Sequence, residues 1–458
     1  MVIDDKLNAE DLKDKLDYFW SLSGKKILRI ESEFDKKSGS PVITMNGKYT
    51  SRGWTEWTQG FQFGSAILQF DATGDESFLT IGRENTVHRM AHHISHTGVH
   101  DHGFNNISTF GNLLRLMLEG KIPVNHWEKN FYELAIKTSG AVQANRWSTT
   151  LDGGYIYSFN GPHSLFVDTI RSVRILMMAH KLGHSLPGEN DIRISLFSRG
   201  LSHLLATAKY SVFYDEKRDS YDEWGRTAHE SIFNPKDGSF RCPNSQQGYS
   251  GFSTWTRGLG WAMLGFTEEL EFLDLIPDIE FEDNSKSFVI SQILRAAKAT
   301  CDFYIKNTPA DGIPYWDSAA PGLDHLKNYL HGFADPYNDF EPVDSSAAAI
   351  GAQGLLRLGH YLMSKGEKSE GAYYFQAGLT VASRLLGYPY LSEDLQHQGI
   401  LLHSIYHRPN GWDHIPIGHK IPCNESSMWG DYHIRETALY LSRLITNGKY
   451  YTFFSEIV

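Results

Sequence analysis

The chain has 458 residues, 41% hydrophobic and 21% charged, which provides for a large core and excludes wholesale disorder. A net charge of -11 argues against a nucleic-acid partner held by clustered Lys and Arg, and no run approaches the roughly 20 apolar residues of a membrane span. Cys242, Cys301 and Cys423 are odd in number and far apart, so they fit neither a disulfide framework nor a zinc motif and are expected to be free thiols.

Met1 to Leu16 mixes charged and apolar residues without an apolar h-region, so no signal peptide is expected. The expected compartment is the cytoplasm, or the periplasm if an export signal was removed. His88, His92, His93, His96, His100 and His102 are dense, and His92 and His96 have the i,i+4 spacing of a helical metal pair. No Glu follows in a His-Glu-x-x-His pattern and no Cys is near, so a polar helix face leading into a loop is expected, with no metal.

A helix is predicted from near Phe110 to Gly120, followed after the loop Asp152 to His163 by an apolar stripe of Phe166, Ile170, Val173 and Met177 that stops at Gly183. Further helices are predicted from near Ile194, Thr256, Phe288, Ser345, Ala372 and Trp429, with Trp261, Leu264, Gly265 and Leu270 along the one that starts at Thr256. Strand patterns are short, at Ser231 to Phe233 and Ser239 to Arg241. Asp237 to Ser253 and Gly332 to Asp344 are long polar and aromatic connections of the kind that carry function. The recurring layout of polar-aromatic loop then amphipathic helix suits a ring of helix pairs whose loop ends face one cavity. With no linker or compositional break, residues 1–458 form one all-α domain, and residues 1–50 are expected to pack on it as an N-terminal extension.

Asp101 lies between His100 and His102 in a loop, and Asp168 lies early in an apolar helix shortly after Asn160-Gly161-Pro162. Either alone is ordinarily a turn former, a cap or a partner of the helix dipole. Two carboxylates at the mouths of neighbouring helices, however, meet the needs of glycosidic chemistry, because one can stay protonated while the other is ionised. The run Gln247 to Trp261 gathers Gln247, Arg257, Trp255 and Trp261 among glycines, a composition suited to a sugar pocket, or to an aromatic corner of the core built on a structural Arg.

Taken together, the motifs resemble the unsaturated glucuronyl hydrolases of glycoside hydrolase family 88, with family 105 as relatives. The resemblance is spread over Trp54 to Phe61, His100 to Phe104, Val167-Asp168, His229 to Gly238, Gln247 to Trp261, Asp344 to Ile350 and Ser427 to Tyr432. It implies an (α/α)6 barrel, a six-hairpin toroid, that hydrolyses the terminal unsaturated uronic acid left on oligosaccharides by polysaccharide lyases. It also implies Asp168 as general acid and base with Asp101 assisting, and His100, Trp147, His229, Gln247, Ser253, Arg257, Trp261, Trp57 and Ser427 as substrate contacts. The sequence departs from the family where Thr169-Ile170-Arg171 follows Asp168 and Leu259-Gly260 follows Gly258.

In such a sugar the C4=C5 bond is an enol ether, so protonation at C4 leaves an oxocarbenium-like centre at C5 that water can attack. That role predicts a raised pKa for Asp168 and an ionised Asp101. No metal or organic cofactor is required, and the expected partner is an oligosaccharide, neither nucleic acid nor membrane, with the chain a monomer or homodimer. Two rivals are an inverting hydrolase of saturated glycosides on the same barrel and a catalytically silent oligosaccharide-binding protein.

Overall fold

The computed structural model describes residues 1–53, 57–281 and 284–454. Helices in it alternate between an outer and an inner layer. Outer α1 (Lys13–Glu33) and inner α2 (Gln59–Thr73) are joined through a hairpin of β1 (Ile43–Met45) and β2 (Lys48–Thr50). Outer α3 (Glu76–Arg89) and the single turn α4 (Ala91–Ile94) lead to an inner rod of α5 (His102–Asn106), a π-helical turn at Ile107–Gly111 and α6 (Asn112–Leu118). Outer α7 (His126–Ala144) runs into a hairpin of β3 (Trp147–Thr150) and β4 (Gly153–Ile156), and β5 (Ser164–Phe166) then enters inner α8 (Thr169–Ser172) and α9 (Arg174–Lys181). A small hairpin of β6 (Leu186–Pro187) and β7 (Arg193–Ile194) precedes outer α10 (Leu196–Tyr210). Strands β8 (Glu230–Phe233) and β9 (Phe240–Asn244) precede inner α11 (Thr256–Asp274). The ring is completed by outer α12 (Lys286–Asn307), inner α13 (Ser345–Ser364), outer α14 (Lys368–Leu385) and inner α15 (Met428–Ile445).

Each inner element touches the next, and α15 returns to α2, so the chain closes an all-α (α/α)6 toroid. The sequence explains the layering. Helix α11 is apolar or small from Gly258 to Thr267 and buries all its residues except Glu271 and Asp274, whereas α12 buries one stripe that includes Val289, Ile293, Ala297 and Tyr304. One apolar cluster runs from Ala9 to Phe454 around the ring. Helix α1 lies against α2 and α15, so the N-terminal segment supplies an outer helix of the ring. The three cysteines are free thiols, and none of the described helices is long and apolar enough to cross a membrane.

Helix starts agree with the sequence pattern to within four residues at α10 to α15, but two stretches differ in a way that matters for the site. The helix expected near Phe110 begins already at His102, because polar His102, Asn105 and Asn106 are buried by hydrogen bonds to Ser139, His93 and neighbouring backbone. The stripe Phe166 to Met177 is a strand followed by two helical pieces: Phe166 pairs with Glu230 in the three-stranded sheet β5-β8-β9, and helix starts only at Thr169. Asp168 therefore stands at the junction of strand and helix.

Candidate active site

Asp101 and Asp168 occupy the positions preceding α5 and α8, and neither side chain makes the capping hydrogen bond that such a position invites. Asp344, at the same place before α13, does cap, accepting from Ser346 N at 3.0 Å and Ala347 N at 3.4 Å. The ordinary structural use of a loop aspartate thus holds for Asp344 and not for the other two. They are brought together by the close approach of α5 to α8: a Cβ on Gly103 would lie 2.1 Å from the Ser172 carbonyl oxygen. The Gly103 N–H donates to Ser172 Oγ (2.9 Å), and that hydroxyl donates to the His100 carbonyl (2.6 Å). This contact places the His100 imidazole against both carboxylates, with Nε2 3.7 Å from Asp101 Oδ1 and 3.5 Å from Asp168 Oδ1.

All three groups are buried, His100 at 1% exposure, Asp101 at 6% and Asp168 at 8%. His100 packs on Phe159 and against the edge of Phe166, and neither ring nitrogen makes an aligned hydrogen bond; Asp168 Oδ1 also has no such partner. Burial disfavours the imidazolium, but the two carboxylates outweigh it and raise the His100 pKa above the ordinary histidine value. Burial likewise works against the Asp168 anion and is outweighed, chiefly by His100 and then by His229 and Arg257, so Asp168 lies below the usual carboxyl range. Asp101 goes the other way, raised by burial and by the neighbouring Asp168 despite His100. This reverses the order expected from sequence: in the free protein Asp168 is the better anion and Asp101 the more readily protonated acid. The partners account for it: His100, His229 and Arg257 favour the Asp168 anion, while burial and the Asp168 charge disfavour that of Asp101.

His229 immediately precedes β8 and is held beside this group by its carbonyl, which accepts from Val167 N at 2.9 Å. Its Nδ1 accepts from Gln246 N (3.0 Å) and Gln247 N (3.3 Å), which places the proton on Nε2. Burial pushes its pKa down to about 4, and Nε2 has no hydrogen-bond partner.

The pocket above the carboxylates is walled by Trp57, Phe159, Gln246, Gln247, Trp255, Arg257, Trp261, Tyr406, His407 and Trp412, with His100, Asp101 and Asp168 at its base. Arg257 is largely committed to the protein. Its Nη1 donates to Asp344 Oδ2 (3.1 Å) and the Ile405 carbonyl, and its Nη2 to Gln247 Oε1 (2.9 Å) and the Tyr406 carbonyl (2.7 Å), leaving only Nε buried without a partner. Arg257 thereby ties the Gln247 loop, the start of α13 and the 405–406 loop together at the pocket wall. Trp261 is 1% exposed, wedged between Phe104 and His433, and forms wall without a free face. Trp57 keeps part of its indole exposed while stacking on Trp429 at 5.0 Å. Trp54 and Glu56, in the same motif, lie outside the described residues.

Three further residues read from the sequence as substrate contacts are not in the wall. Trp147 sits on β3 under Arg199 and lines a separate surface groove with Thr149, Tyr155 and Asn234. Ser253 donates its hydroxyl to Asp317 Oδ2 at 3.0 Å. Ser427 caps α15 by accepting from Gly430 N at 3.1 Å. Conversely, Phe159, Tyr406, His407 and Trp412 were not singled out from sequence. Their signal was present as the same loop chemistry: Ser158-Phe159-Asn160 before β5, and Tyr406-His407 to Trp412-Asp413 in the long connection before α15. Asp413 accepts from Tyr406 N (2.5 Å) and His407 N (3.1 Å), which fixes that connection against the pocket. Among the described residues no group of three or more His, Cys, Asp or Glu could hold a metal ion, and His93 and His102 of the histidine-rich stretch are bonded to Gln59 and Asn105, and to Ser139 and the His96 carbonyl.

No protein-family model matches the chain. Curated proteins do. It is 26% identical to an unsaturated glucuronyl hydrolase of Formosa agariphila over 442 residues, 92% of this chain and 91% of that protein. It is 25% identical to the unsaturated glucuronyl hydrolase of Bacillus sp. strain GL1 (88% and 91% covered), and 23% identical to an unsaturated chondroitin disaccharide hydrolase of Streptococcus pyogenes (95% and 92% covered). In three dimensions it is similar to the crystal structure of the Bacillus sp. GL1 enzyme, with a TM-score of 0.70 at 21% identity over 93% of this chain and 96% of that one. A glucuronyl hydrolase specific for heparin superposes with a TM-score of 0.71 at 18% identity, covering 95% and 98% of the two chains. The similarity to unsaturated glucuronyl hydrolases thus runs the length of both partners, on a toroid whose inner loops bring Asp101, His100 and Asp168 together.

Proposed function

We propose that this enzyme is a glycoside hydrolase that removes a terminal 4,5-unsaturated uronic acid from lyase-generated oligosaccharides by hydrating the C4=C5 enol ether. The observation that carries the reading is the pair of uncapped carboxylates sharing one imidazole at the base of an aromatic-walled pocket. A conventional inverting pair is separated by about 6.5–9.5 Å to leave room for a water between the carboxyls. Here oxygens of both carboxyls lie within 3.7 Å of the same imidazole nitrogen, so one ring can share its charge between them.

In this reading the shared proton is kept off Asp168 in the free enzyme, because His100 lowers the Asp168 pKa against the effect of burial, while His100 and Asp101 are both shifted towards holding a proton. Arrival of the sugar carboxylate displaces water and adds a negative charge, both of which push the Asp168 pKa up, and the proton moves to Asp168. Asp168 donates it to C4, leaving the positive centre at C5 shared with the ring oxygen. The Asp168 carboxylate then takes a proton from a water whose oxygen bonds to C5. The hemiketal opens to a C5 ketone, the former ring oxygen becomes a hydroxyl on C1, and C1 releases the rest of the oligosaccharide as it becomes an aldehyde. No covalent enzyme intermediate and no metal is called for. On product release the proton that Asp168 took from water returns through His100 to Asp101, the more readily protonated of the two, and the resting state is restored.

Trp57, Phe159 and Trp412 have partly exposed ring surface for the flat sugar, while His229 Nε2–H and Arg257 Nε are buried donors without partners that suit its oxygens. The test is the fall in ultraviolet absorbance of the conjugated double bond across a panel of lyase-generated unsaturated disaccharides. Turnover that disappears in Asp168→Asn supports the reading and ranks the sugars; an unchanged panel, or an active Asn variant, removes it.

A further inference from the structure

Asp317 is a buried carboxylate near the pocket with no task in the reaction. Asp317 is fully buried on the segment that follows Tyr315, which runs beside the loop leading into α11: Ser318 N donates to the Thr254 carbonyl (2.9 Å) and Thr256 N to the Trp316 carbonyl (3.1 Å). From there its side chain reaches across the loop. Oδ2 accepts from Tyr249 N at 2.8 Å and from the Ser253 hydroxyl at 3.0 Å, and Oδ1 accepts from Ala319 N at 3.0 Å. Gly248 permits this approach, since a Cβ there would fall 2.8 Å from Oδ2. The pinned turn begins with Gln246 and Gln247, whose backbone N–H groups both point at His229 Nδ1. Nothing else in hydrogen-bond contact with the His229 ring fixes which nitrogen carries its proton.

We propose that Asp317, acting with Ser253, is a positioning residue for the reaction: it holds the Gln246 and Gln247 amides on His229 so that the Nε2 proton is presented beside Asp168. The proposal rests on the reaction assigned above and gives Ser253 a role other than touching the sugar. A carboxylate is suited to the task because an ionised oxygen accepts two donors from different parts of one turn more strongly than a neutral group could. Loosening the turn frees the imidazole to take either tautomer, which withdraws a donor from the carboxylate centre without removing any group from the pocket.

The test uses the full chain with Asp317→Asn, Ser253→Ala, Ser253→Thr and His229→Ala, singly and in pairs. Asp317→Asn and Ser253→Ala are expected to lower kcat about 10- to 100-fold with little change in KM, and Ser253→Thr, which keeps the hydroxyl, to restore most of it. Adding either to His229→Ala is expected to cost nothing further, because the path runs through His229. Losses that multiply in the double variants, or a loss confined to KM, would overturn the proposal and return Ser253 to substrate contact. If Asp317→Asn does not fold, the Ser253 pair with His229→Ala decides the matter alone. A substrate-free readout separates this proposal from the reaction it rests on. In protein labelled with 15N-histidine, the resonance pair missing from His229→Ala is expected to report a fixed Nε2–H tautomer in the wild type and a mixture in Ser253→Ala. An unchanged tautomer sinks the positioning role even if turnover stands, whereas a wild type inactive on every unsaturated sugar sinks the reaction while the tautomer still reports on the device.

Discussion

Asp168 and Arg171 are three residues apart on one stretch of chain, yet they belong to buried charge clusters of opposite character. Arg171 lies deeper in the ring and is saturated: Nε donates to Glu268 Oε2 (2.9 Å), Nη2 to Glu268 Oε1 (3.1 Å) and Glu436 Oε2 (2.6 Å), and Nη1 meets His433. Around Asp168 the reverse holds. Both ring nitrogens of His100, Oδ1 of Asp168 and Nε2 of His229 are buried without a hydrogen-bond partner. Unpartnered buried atoms also occur deeper in the ring, as at both carboxyl oxygens of Glu269, but at the pocket base they gather around two carboxylates that line a cavity, while the Arg171 contacts hold the inner helices in register.

The contrast can be broken from either side. The largest expected effect is on chemistry: Asp168→Asn should lower kcat/KM by about 10³-fold, the scale of a lost general acid, with a melting temperature close to wild type because no cap and no aligned hydrogen bond to Oδ1 is lost. Arg171→Met should do the opposite, costing about 3 kcal/mol or more of stability in denaturant titration by leaving Glu268 and Glu436 short of a partner. An Asp168 variant that unfolds, or an Arg171 variant as stable as wild type, would dissolve the distinction.

Acid sharpens it residue by residue. His102, His203 and His403 are buried as neutral imidazoles, with pKa values pushed by burial down to about 4, 3 and 3. Their folded values lie below the ordinary 6.5, so the stability they contribute is complete above that pH and is lost as pH falls from 6.5 towards 4. Each should cost about 1.4 kcal/mol per pH unit within that window, seen as a falling melting temperature between pH 7 and pH 5. His100 has the opposite sign: its raised pKa favours folding below 6.5, and that contribution fades as pH rises through the folded value. His100→Gln should therefore lose the gain in stability that the wild type shows as pH falls from the folded His100 value to 6.5, with the slope below 6.5 unchanged; no difference above 6.5 would mean that folding does not favour the His100 proton.

The smallest effect concerns Ser427, read from sequence as a sugar contact and found as a helix cap. Ser427→Ala should cost about 1 kcal/mol of stability and leave kcat/KM unchanged. A KM that rises with stability intact would restore the sugar contact.

The amino-acid sequence by itself determined the ring of helices and the loops from which the site is made. A helix with a run that is apolar or small on every side, such as Gly258 to Thr267 of α11, is suited to an inner layer, and polar-aromatic segments such as Ser158 to Asn160 or Gln247 to Trp255 are costly to hide in a core, so they collect at the mouth. Motif resemblance likewise picked out Asp101 and Asp168. What only the tertiary structure decided was how each polar group spends its hydrogen bonds. Ser253 could have faced a sugar, but closure of the ring brought Asp317, 64 positions away, to its hydroxyl. Arg257 offers the same five donors whether it meets substrate or the Ile405 and Tyr406 carbonyls, and the order of pKa values between Asp101 and Asp168 turns on which partners reach each, with His100, His229 and Arg257 around Asp168 and the Asp168 charge beside Asp101. Burial and propensity are carried by local pattern, but partner choice depends on distances between segments 64 to 148 residues apart, and those exist only once the toroid has closed.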